Sequence, residues 1–168
     1  MQIADAVYAR VEELKKFLPA GMALPDKDQV IDFSLAIRES VNGPDHLKVA
    51  WVLNNLGILL RSTGDYEEAI DCLERALAIK EKVLGPEDPD VATTRKNLGD
   101  VYRLTGELGR AKAQYEQALE VRSRPEGHLS ALAESLNDLA TVLAAMGHRE
   151  RARTPYEEAR SVVRQSAA

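Results

Sequence analysis

The chain of 168 residues lacks the features that mark several specialised classes of protein. It has one cysteine, Cys72, which excludes an internal disulfide and a cysteine-rich zinc site. Aromatic residues make up 5% of the sequence, so a core must be built mainly from leucine, valine, isoleucine and alanine. No apolar run approaches the roughly 18 residues that a membrane-spanning helix needs. We therefore expect neither a disulfide-stabilised domain nor a membrane protein.

An excess of positive charge is also missing. Lysine and arginine number 22 against 27 aspartates and glutamates, which gives a formal net charge of −5 and a pI near 5.3. Nucleic-acid-binding domains usually carry a basic stripe and a high pI, so no nucleic-acid partner is expected. The N-terminus holds Asp5, Glu12 and Glu13, where a signal peptide would have a basic flank and an apolar stretch. The expectation is an acidic cytoplasmic protein.

What the sequence does contain is an internal repeat of 42 residues. Gly43-Pro44-Asp45 recurs as Gly85-Pro86-Glu87, and further small residues keep the same register, with one residue deleted before the last unit. Four units fill the chain, and the first is the most degraded. Their approximate bounds are 1–42, 43–84, 85–125 and 126–168.

Each unit has the pattern of two helices. Apolar residues at i, i+4, i+7 and i+11, such as Val49, Leu53, Leu56 and Leu60, lie on one helix face. Gly64 is a signal for the end of that helix, and a second apolar set follows it. The predicted helix pairs are 3–18 with 27–41, 46–62 with 66–83, 89–104 with 108–123, and 129–145 with 149–165. No strand pattern is found, so the fold class is all-α.

Small residues mark where the two helices of a pair cross. Gly57, Gly99 and Ala140 lie on the first helices, opposite alanines on the second helices. Larger residues, including Tyr115 and Tyr156, are expected to fill the spaces between successive pairs. Because such pairs cannot bury their apolar faces alone, they should stack into a solenoid.

Glycine at the crossing, followed by alanine 12 and 19 residues later, resembles the tetratricopeptide repeat. The 42-residue spacing, the run Leu53-Asn54-Asn55-Leu56-Gly57 and the segment 81–92 resemble the kinesin light chain type of that repeat. The resemblance covers residues 35–160. It implies a right-handed superhelix of four helix-turn-helix pairs that acts as a non-catalytic protein-interaction module.

The resemblance also implies a binding site, because this family holds extended peptides in a concave groove lined by the first helices. Asparagine side chains suit this task, since their amide offers a peptide backbone both a donor and an acceptor. The alternative is that these residues are merely solvated polar side chains. The groove residues carried onto this sequence are Trp51, Asn54, Ile58, Arg61, Thr93, Lys96, Asp100, Arg103, Glu134, Asn137 and Thr141.

The chemistry of this set indicates a kind of ligand. Arg61, Lys96 and Arg103 would favour an acidic or carboxylate-bearing peptide, although Asp100 opposes this preference. Trp51 would be an exposed aromatic anchor. Its alternative role is packing against the first helix pair.

Nothing in the sequence indicates catalysis, a metal or a cofactor. Glu87, Asp88 and Asp90 lack the alternate spacing of a calcium loop. They are better explained as a helix start, with Asp88 as N-cap and Pro89 at the first helical position. The histidines have no ligand spacing, and no nucleophile is paired with a base. We therefore expect no enzyme activity in this chain.

Two other functions remain open. The chain could be a structural spacer that associates through its outer faces or ends without a groove ligand. It could also be the regulatory arm of a longer catalytic polypeptide. A monomer is favoured over an oligomer, and the partner is expected to be a protein or peptide.

Overall fold

A computed structural model describes residue 39, residues 41–123 and residues 129–166. These residues hold six helices and no strand. The three pairs predicted from residue 46 onward are confirmed to within one residue at each end. The predicted first pair falls almost entirely outside the described residues. The helices are α1 (Leu47–Thr63), α2 (Tyr66–Leu84), α3 (Pro89–Leu104), α4 (Leu108–Arg122), α5 (Leu129–Ala145) and α6 (Arg149–Ser166). They form unit 2 (α1 and α2), unit 3 (α3 and α4) and unit 4 (α5 and α6).

Side-chain caps start two of the first helices. The Oδ1 atom of Asp88 accepts a hydrogen bond from the backbone N–H of Asp90 at 2.8 Å, and Pro89 is the first residue of α3. The assignment of this acidic segment to a helix start is thereby confirmed. In unit 2, His46 takes the same role, because its Nδ1 accepts from the N–H of Lys48 at 3.1 Å.

A glycine in the left-handed region makes the turn between the two helices of each pair. Gly64, Gly106 and Gly147 have φ angles of 93°, 83° and 83°. The residue after each glycine donates its N–H to the carbonyl five residues earlier, as Asp65 does to Leu60 at 3.0 Å. This pattern satisfies carbonyls at the helix end, and glycine adopts its backbone angle without steric cost.

The helices of a pair approach closely at the predicted small residues. A Cβ atom added to Gly57 would lie 2.5 Å from Cγ of Leu73, and one added to Gly99 would lie 2.8 Å from Cε1 of Tyr115. Such distances are shorter than van der Waals contact. The side chains of the second helix therefore occupy the space that these glycines leave.

The core is continuous from α1 to α6, as a solenoid requires. Each second helix packs on the first helix of the next unit, so every unit buries apolar surface of its neighbour. A smaller cluster of five buried residues lies between α1 and α2. Members of the main cluster include Leu60, Leu73, Leu77, Leu98, Val101, Tyr102, Tyr115, Leu139, Val142 and Leu143.

Tyr156 does not fill a core space, and that expectation is wrong. Tyr115 is 0% exposed, whereas Tyr156, at the equivalent position of unit 4, is 39% exposed. The reason lies on the facing helix, where unit 4 has Ala140 in place of Gly99. The methyl group of Ala140 takes up the space into which the ring of Tyr115 fits in unit 3.

Basic residues near the ends of the second helices insert into the next unit. Lys80 Nζ donates to Oγ1 of Thr94 at 2.9 Å, and Arg122 Nη1 donates to Oγ of Ser135 at 2.8 Å. All four residues are buried. Burial lowers the pKa values of Lys80 and Arg122, while nearby carboxylates oppose that change. These contacts join consecutive units by polar bonds as well as by apolar packing.

Candidate functional site

The first helices α1, α3 and α5 form one surface, here called the first-helix face, which carries the predicted groove residues. Side-chain contacts join the helices across units. Asn97 Nδ2 donates to Oδ1 of Asn54 at 3.2 Å, and Arg61 Nη1 donates to Oδ2 of Asp100 at 2.6 Å. Since Asn54 and Asn97 are both buried, the first of these bonds lies in the floor of the face.

Asp100 is the centre of this surface. Its Oδ2 accepts from Arg61 and, at 3.2 Å, from Lys96, while its Oδ1 accepts from the hydroxyl of Tyr115 at 2.7 Å. The residue is 7% exposed, so its charge needs these partners. Burial and the adjacent carboxylate raise the pKa of Tyr115, which keeps its hydroxyl protonated as a donor.

Lys96 extends the charge network into unit 4. Its Nζ lies 3.1 Å from Oε1 of Glu134 and 3.9 Å from Oδ2 of Asp138. Burial acts to lower the pKa of Lys96, but Asp100, Glu134 and Asp138 together outweigh it, so that the pKa is raised. The ammonium group is therefore firmly charged and shared among three carboxylates.

Asp138 is the least satisfied member of the network. Its buried Oδ2 atom has no hydrogen-bond partner among the described residues. Burial and the charges of Asp100 and Glu134 raise its pKa to about 6, although Lys96 and Arg103 act in the opposite direction. This carboxyl group thus titrates much closer to neutral pH than an ordinary aspartate.

Arg122 reaches the first-helix face from the second helix of unit 3. Its guanidinium donates to Ser135, to the carbonyl of Ala131 at 3.3 Å and to Oγ1 of Thr93 at 3.3 Å. It also lies 3.8 Å from Oε2 of Glu134. The hydroxyl of Thr93 is therefore already engaged within the protein.

A second set of side chains on this face remains open to solvent. Trp51 is 49% exposed, and the side chain of Glu134 is 53% exposed. Asn137 is also exposed. In the last unit, the hydroxyls of Thr141 and Tyr156 lie 3.4 Å apart. Glu134 is already paired with Lys96, and the Thr141 hydroxyl also donates to the carbonyl of Asn137, so Trp51 and the Asn137 side chain are the groups of this set that lie most open to a ligand.

The equivalent residues Asn54, Lys96 and Asn137 lie in three different environments. Asn54 is buried with its amide oxygen bonded, Lys96 is ion-paired, and Asn137 is exposed. The cause is the neighbouring unit, because Asn97 faces Asn54 whereas Asp138 faces Lys96. Ile58 is half-buried on α1, so it offers a ligand little surface.

Four residues that contribute side-chain contacts to this face were not predicted for it from the sequence: Asn97, Tyr115, Arg122 and Asp138. A signal existed for all of them except Tyr115. Arg122 follows Lys80 by 42 residues, and the residue after each predicted amide position is polar in all three units. Nothing in the pattern indicated that Tyr115 would reach Asp100, since that contact depends on the missing side chain of Gly99.

Within residues 39, 41–123 and 129–166, no group of three or more His, Cys, Asp or Glu side chains is arranged to hold a metal ion. Among the six described helices, none combines the length and apolarity that crossing a membrane requires.

Comparison with protein families gives two matches, both described as tetratricopeptide repeat. One covers residues 30–82 and 59–124, and the other covers residues 132–166. Together they span more than half of the chain. Comparison with curated proteins gave no significant match.

Solved structures with the same fold include BtubC (BKLC) from P. vanneervenii, with a TM-score of 0.78 and 23% identity over 82% of this chain and 56% of that one. A Podosopora anserina protein described as a kinesin light chain with nearly identical TPR-like repeats has a TM-score of 0.69. It is 22% identical over 82% of this chain and 65% of that one. The N-terminal domain of stress-induced protein-1 from C. elegans has a TM-score of 0.59 and 16% identity, over 69% and 85%. The chain thus spans less than two thirds of the first two structures.

Proposed function

The chain belongs to the tetratricopeptide repeat family, whose members generally act as protein-interaction modules, and we propose that it binds an extended segment of a partner protein along the first-helix face. The observation that carries this proposal is the network around Asp100. Arg61, Lys96 and Tyr115 are held by one carboxylate, so the surface is ordered before a ligand arrives. A pre-organised surface loses less side-chain entropy on binding.

The exposed groups on this face suit an extended chain. Trp51 on α1 offers a flat apolar surface of the kind that anchors protein ligands. On α5, the exposed Asn137 amide can donate to and accept from a peptide backbone. The two residues lie on helices of different units, so a ligand that contacts both must run along the solenoid.

The charges favour a ligand with at least one carboxylate. Four cations, Arg61, Lys96, Arg103 and Arg122, face three carboxylates on this surface, Asp100, Glu134 and Asp138. One positive charge is therefore in excess. The side chains of Lys96 and Arg122 are 18% and 10% exposed, whereas that of Arg61, at the edge of the network, is 28% exposed and is better placed than either for a ligand.

Selection from a displayed random-peptide library against the purified chain tests this function. We expect extended sequences with an acidic residue, and binding weakened about tenfold or more by Trp51→Ala combined with Asn137→Ala. Replacing the acidic residue of a selected peptide by its amide should weaken binding and reduce its dependence on salt. Calorimetry with purified variants gives the affinities.

The matched control is Val83→Ala, because Val83 is exposed on a second helix, away from the first-helix face. Peptides that bind this control as they bind the wild type, but not the double variant, support the proposal. Peptides that bind all three proteins equally would move the site to another surface.

A structural spacer is the second candidate, and the position of Val163 favours it. Val163 stands where Lys80 and Arg122 insert into a following unit, and it is 56% exposed. An apolar side chain there would suit end-to-end association. Sedimentation velocity over a wide concentration range separates the two: a monomer throughout supports the peptide-binding function.

We further propose that the chain acts without catalysis and in the cytoplasm. The first statement is supported by the family, in which no enzyme is indicated. The second is supported by the acidic composition and the single cysteine.

A further inference from the structure

The junction of units 2 and 3 and the junction of units 3 and 4 differ on the second-helix side, most directly at the position of Arg95. Arg95 on α3 corresponds to Leu136 on α5. In the first junction, Arg95 donates to Oε1 of Glu81 on α2 and to Oε1 of Gln117 on α4. Its guanidinium therefore bridges two neighbouring second helices.

In the second junction, the same place is open. A cleft of about 580 Å³ lies between α4 and α6, here called the α4–α6 cleft. Its lining is mainly apolar, from Leu119, Leu132, Leu136, Leu139 and Val162. Leu136 is shorter than Arg95 at the equivalent position and carries no guanidinium. Its side chain therefore does not join α4 to α6 as Arg95 joins α2 to α4.

The rim of this cleft is acidic, with Glu116 and Glu120 on α4 and Glu158 on α6. Glu116 is paired with Lys112 at 2.6 Å. Glu158 is exposed and forms no ion pair with another described residue. It occupies the position of Gln117, whose amide oxygen accepts from Arg95 in the preceding junction. A carboxylate there is a stronger acceptor for a guanidinium than the amide it replaces.

We propose that the α4–α6 cleft is a second docking site, which receives an arginine side chain from a partner protein in the place that Arg95 occupies within the preceding junction. The methylene stem of the arginine lies over Leu136 and Val162, and its guanidinium pairs with Glu158. Arginine suits this place better than lysine, because a planar guanidinium can bridge two acceptors on separate helices, as that of Arg95 bridges Glu81 and Gln117. None of the residues that line the cleft belongs to the predicted groove, so the site goes beyond the function proposed above.

A titration of the full chain with N-acetyl-arginine amide tests the site directly. The neutral isostere N-acetyl-citrulline amide serves as the matched probe, and methyl NMR resonances of Leu136 and Val162 provide the readout. We expect saturable shifts with the arginine probe and binding roughly fivefold or more weaker with citrulline. Glu158→Gln should weaken the arginine response to the citrulline level. Equal responses to both probes, or no effect of Glu158→Gln, would overturn the proposal.

Leu136→Arg provides a second test that needs no ligand. If the cleft accepts a guanidinium, the variant keeps its Tm within a few degrees of wild type and no longer binds the arginine probe. Adding Glu158→Ala should then lower the Tm more than Glu158→Ala does alone. A fall of more than about 10 °C in the Leu136→Arg variant, as for an unpaired buried charge, would contradict the proposal.

The source of the arginine is also distinguished by the titration. The chain has its own Arg124, directly after Ser123 of the cleft lining. A response to the arginine probe in the wild type supports a partner. A response only after Arg124→Ala would assign the cleft to the chain itself and overturn the proposal.

Discussion

Both described junctions of the solenoid bury apolar side chains, but they differ in their polar contacts. Between units 2 and 3, the second-helix side is joined by Arg95 and also by Arg110, which lies 4.0 Å from the ring centroid of Tyr102. Arg110 and the Tyr102 hydroxyl both donate to Glu74 on α2. Two arginine-centred bridges thus close this side of the junction.

Between units 3 and 4, a leucine replaces one residue of each bridge, with Leu136 for Arg95 and Leu143 for Tyr102. The apolar contact remains, because Leu136 and Leu143 are buried, but the α4–α6 cleft lies open beside Leu136. The comparison teaches that apolar periodicity stacks the units, whereas individual polar residues decide which faces stay available for partners.

The largest loss of stability is expected from a substitution on the first-helix face, at the position where unit 3 has Asp100 and unit 4 has Thr141. Asp100→Ala leaves Arg61, Lys96 and the Tyr115 hydroxyl without their acceptor. We expect a loss of about 3 kcal/mol in the free energy of unfolding, measured by urea denaturation. Thr141→Ala is the matched control and should change it by no more than about 0.5 kcal/mol. Equal effects of the two substitutions would show that Asp100 is not the centre of the network.

A substitution at the helix crossing of unit 3 should lower the stability of the chain by nearly as much. In Gly99→Ala, the new methyl group would lie 2.8 Å from Cε1 of the buried Tyr115, so the ring must move away from Asp100. Overpacking of this kind costs about 1–3 kcal/mol, more than the gain in helix propensity. Gly109→Ala is the control, since nothing lies within 4 Å of its Cβ position. Thermal unfolding should show a lower Tm for the first variant and an unchanged or higher Tm for the second.

Arg95→Leu makes the first junction like the second. The variant loses the bonds to Glu81 and Gln117 but keeps the apolar contact, so we expect a moderate cost of about 1 kcal/mol. Arg153→Leu removes an exposed arginine paired with Glu157 one turn away, and should cost less than about 0.5 kcal/mol. If both variants unfold at the same urea concentration, the Arg95 bridge does not stabilise the junction.

The last expected effect concerns pH, at the position where unit 3 has Asn97 and unit 4 has Asp138. The pKa of Asp138 is raised to about 6 from 3.8, so protonation favours the folded chain. Relative to Asp138→Asn, the wild type should therefore gain stability as the pH falls from about 7 to about 4, and be the less stable protein at about pH 8. Melting temperatures across this range measure the difference. Asp71→Asn, a substitution of the same kind at an exposed position, is the matched control variant.

Much of the fold was predictable from the repeat. The helix bounds of three units agree with the expectation because apolar spacing, glycine turns and small crossing residues all depend on local sequence. The site was predicted less completely. The eleven groove residues lie on the expected helices, but Asn54 and Lys96 are engaged inside the protein, and the acidic ligand preference remains a proposal.

Tyr156 shows why side-chain contacts could not be predicted from the repeat alone. Its repeat position equals that of Tyr115, so the sequence alone gives both the same role. The outcome depends on one methyl group of the facing helix, at Ala140, which only the packed pair brings next to the ring.

The sequence by itself determined the architecture of this protein: an all-α stack of helix pairs, their turns and their crossing points. These features follow from periodicity and from backbone preferences that act within one unit. The tertiary structure decided which polar side chains are bonded and which are open, at Asp100, at Asp138 and in the α4–α6 cleft. The physical reason is that contacts such as those of Asp100 with Arg61, 39 positions away, and with Tyr115, 15 positions away, join different helices. Their chemistry depends on the pair of side chains that packing brings together.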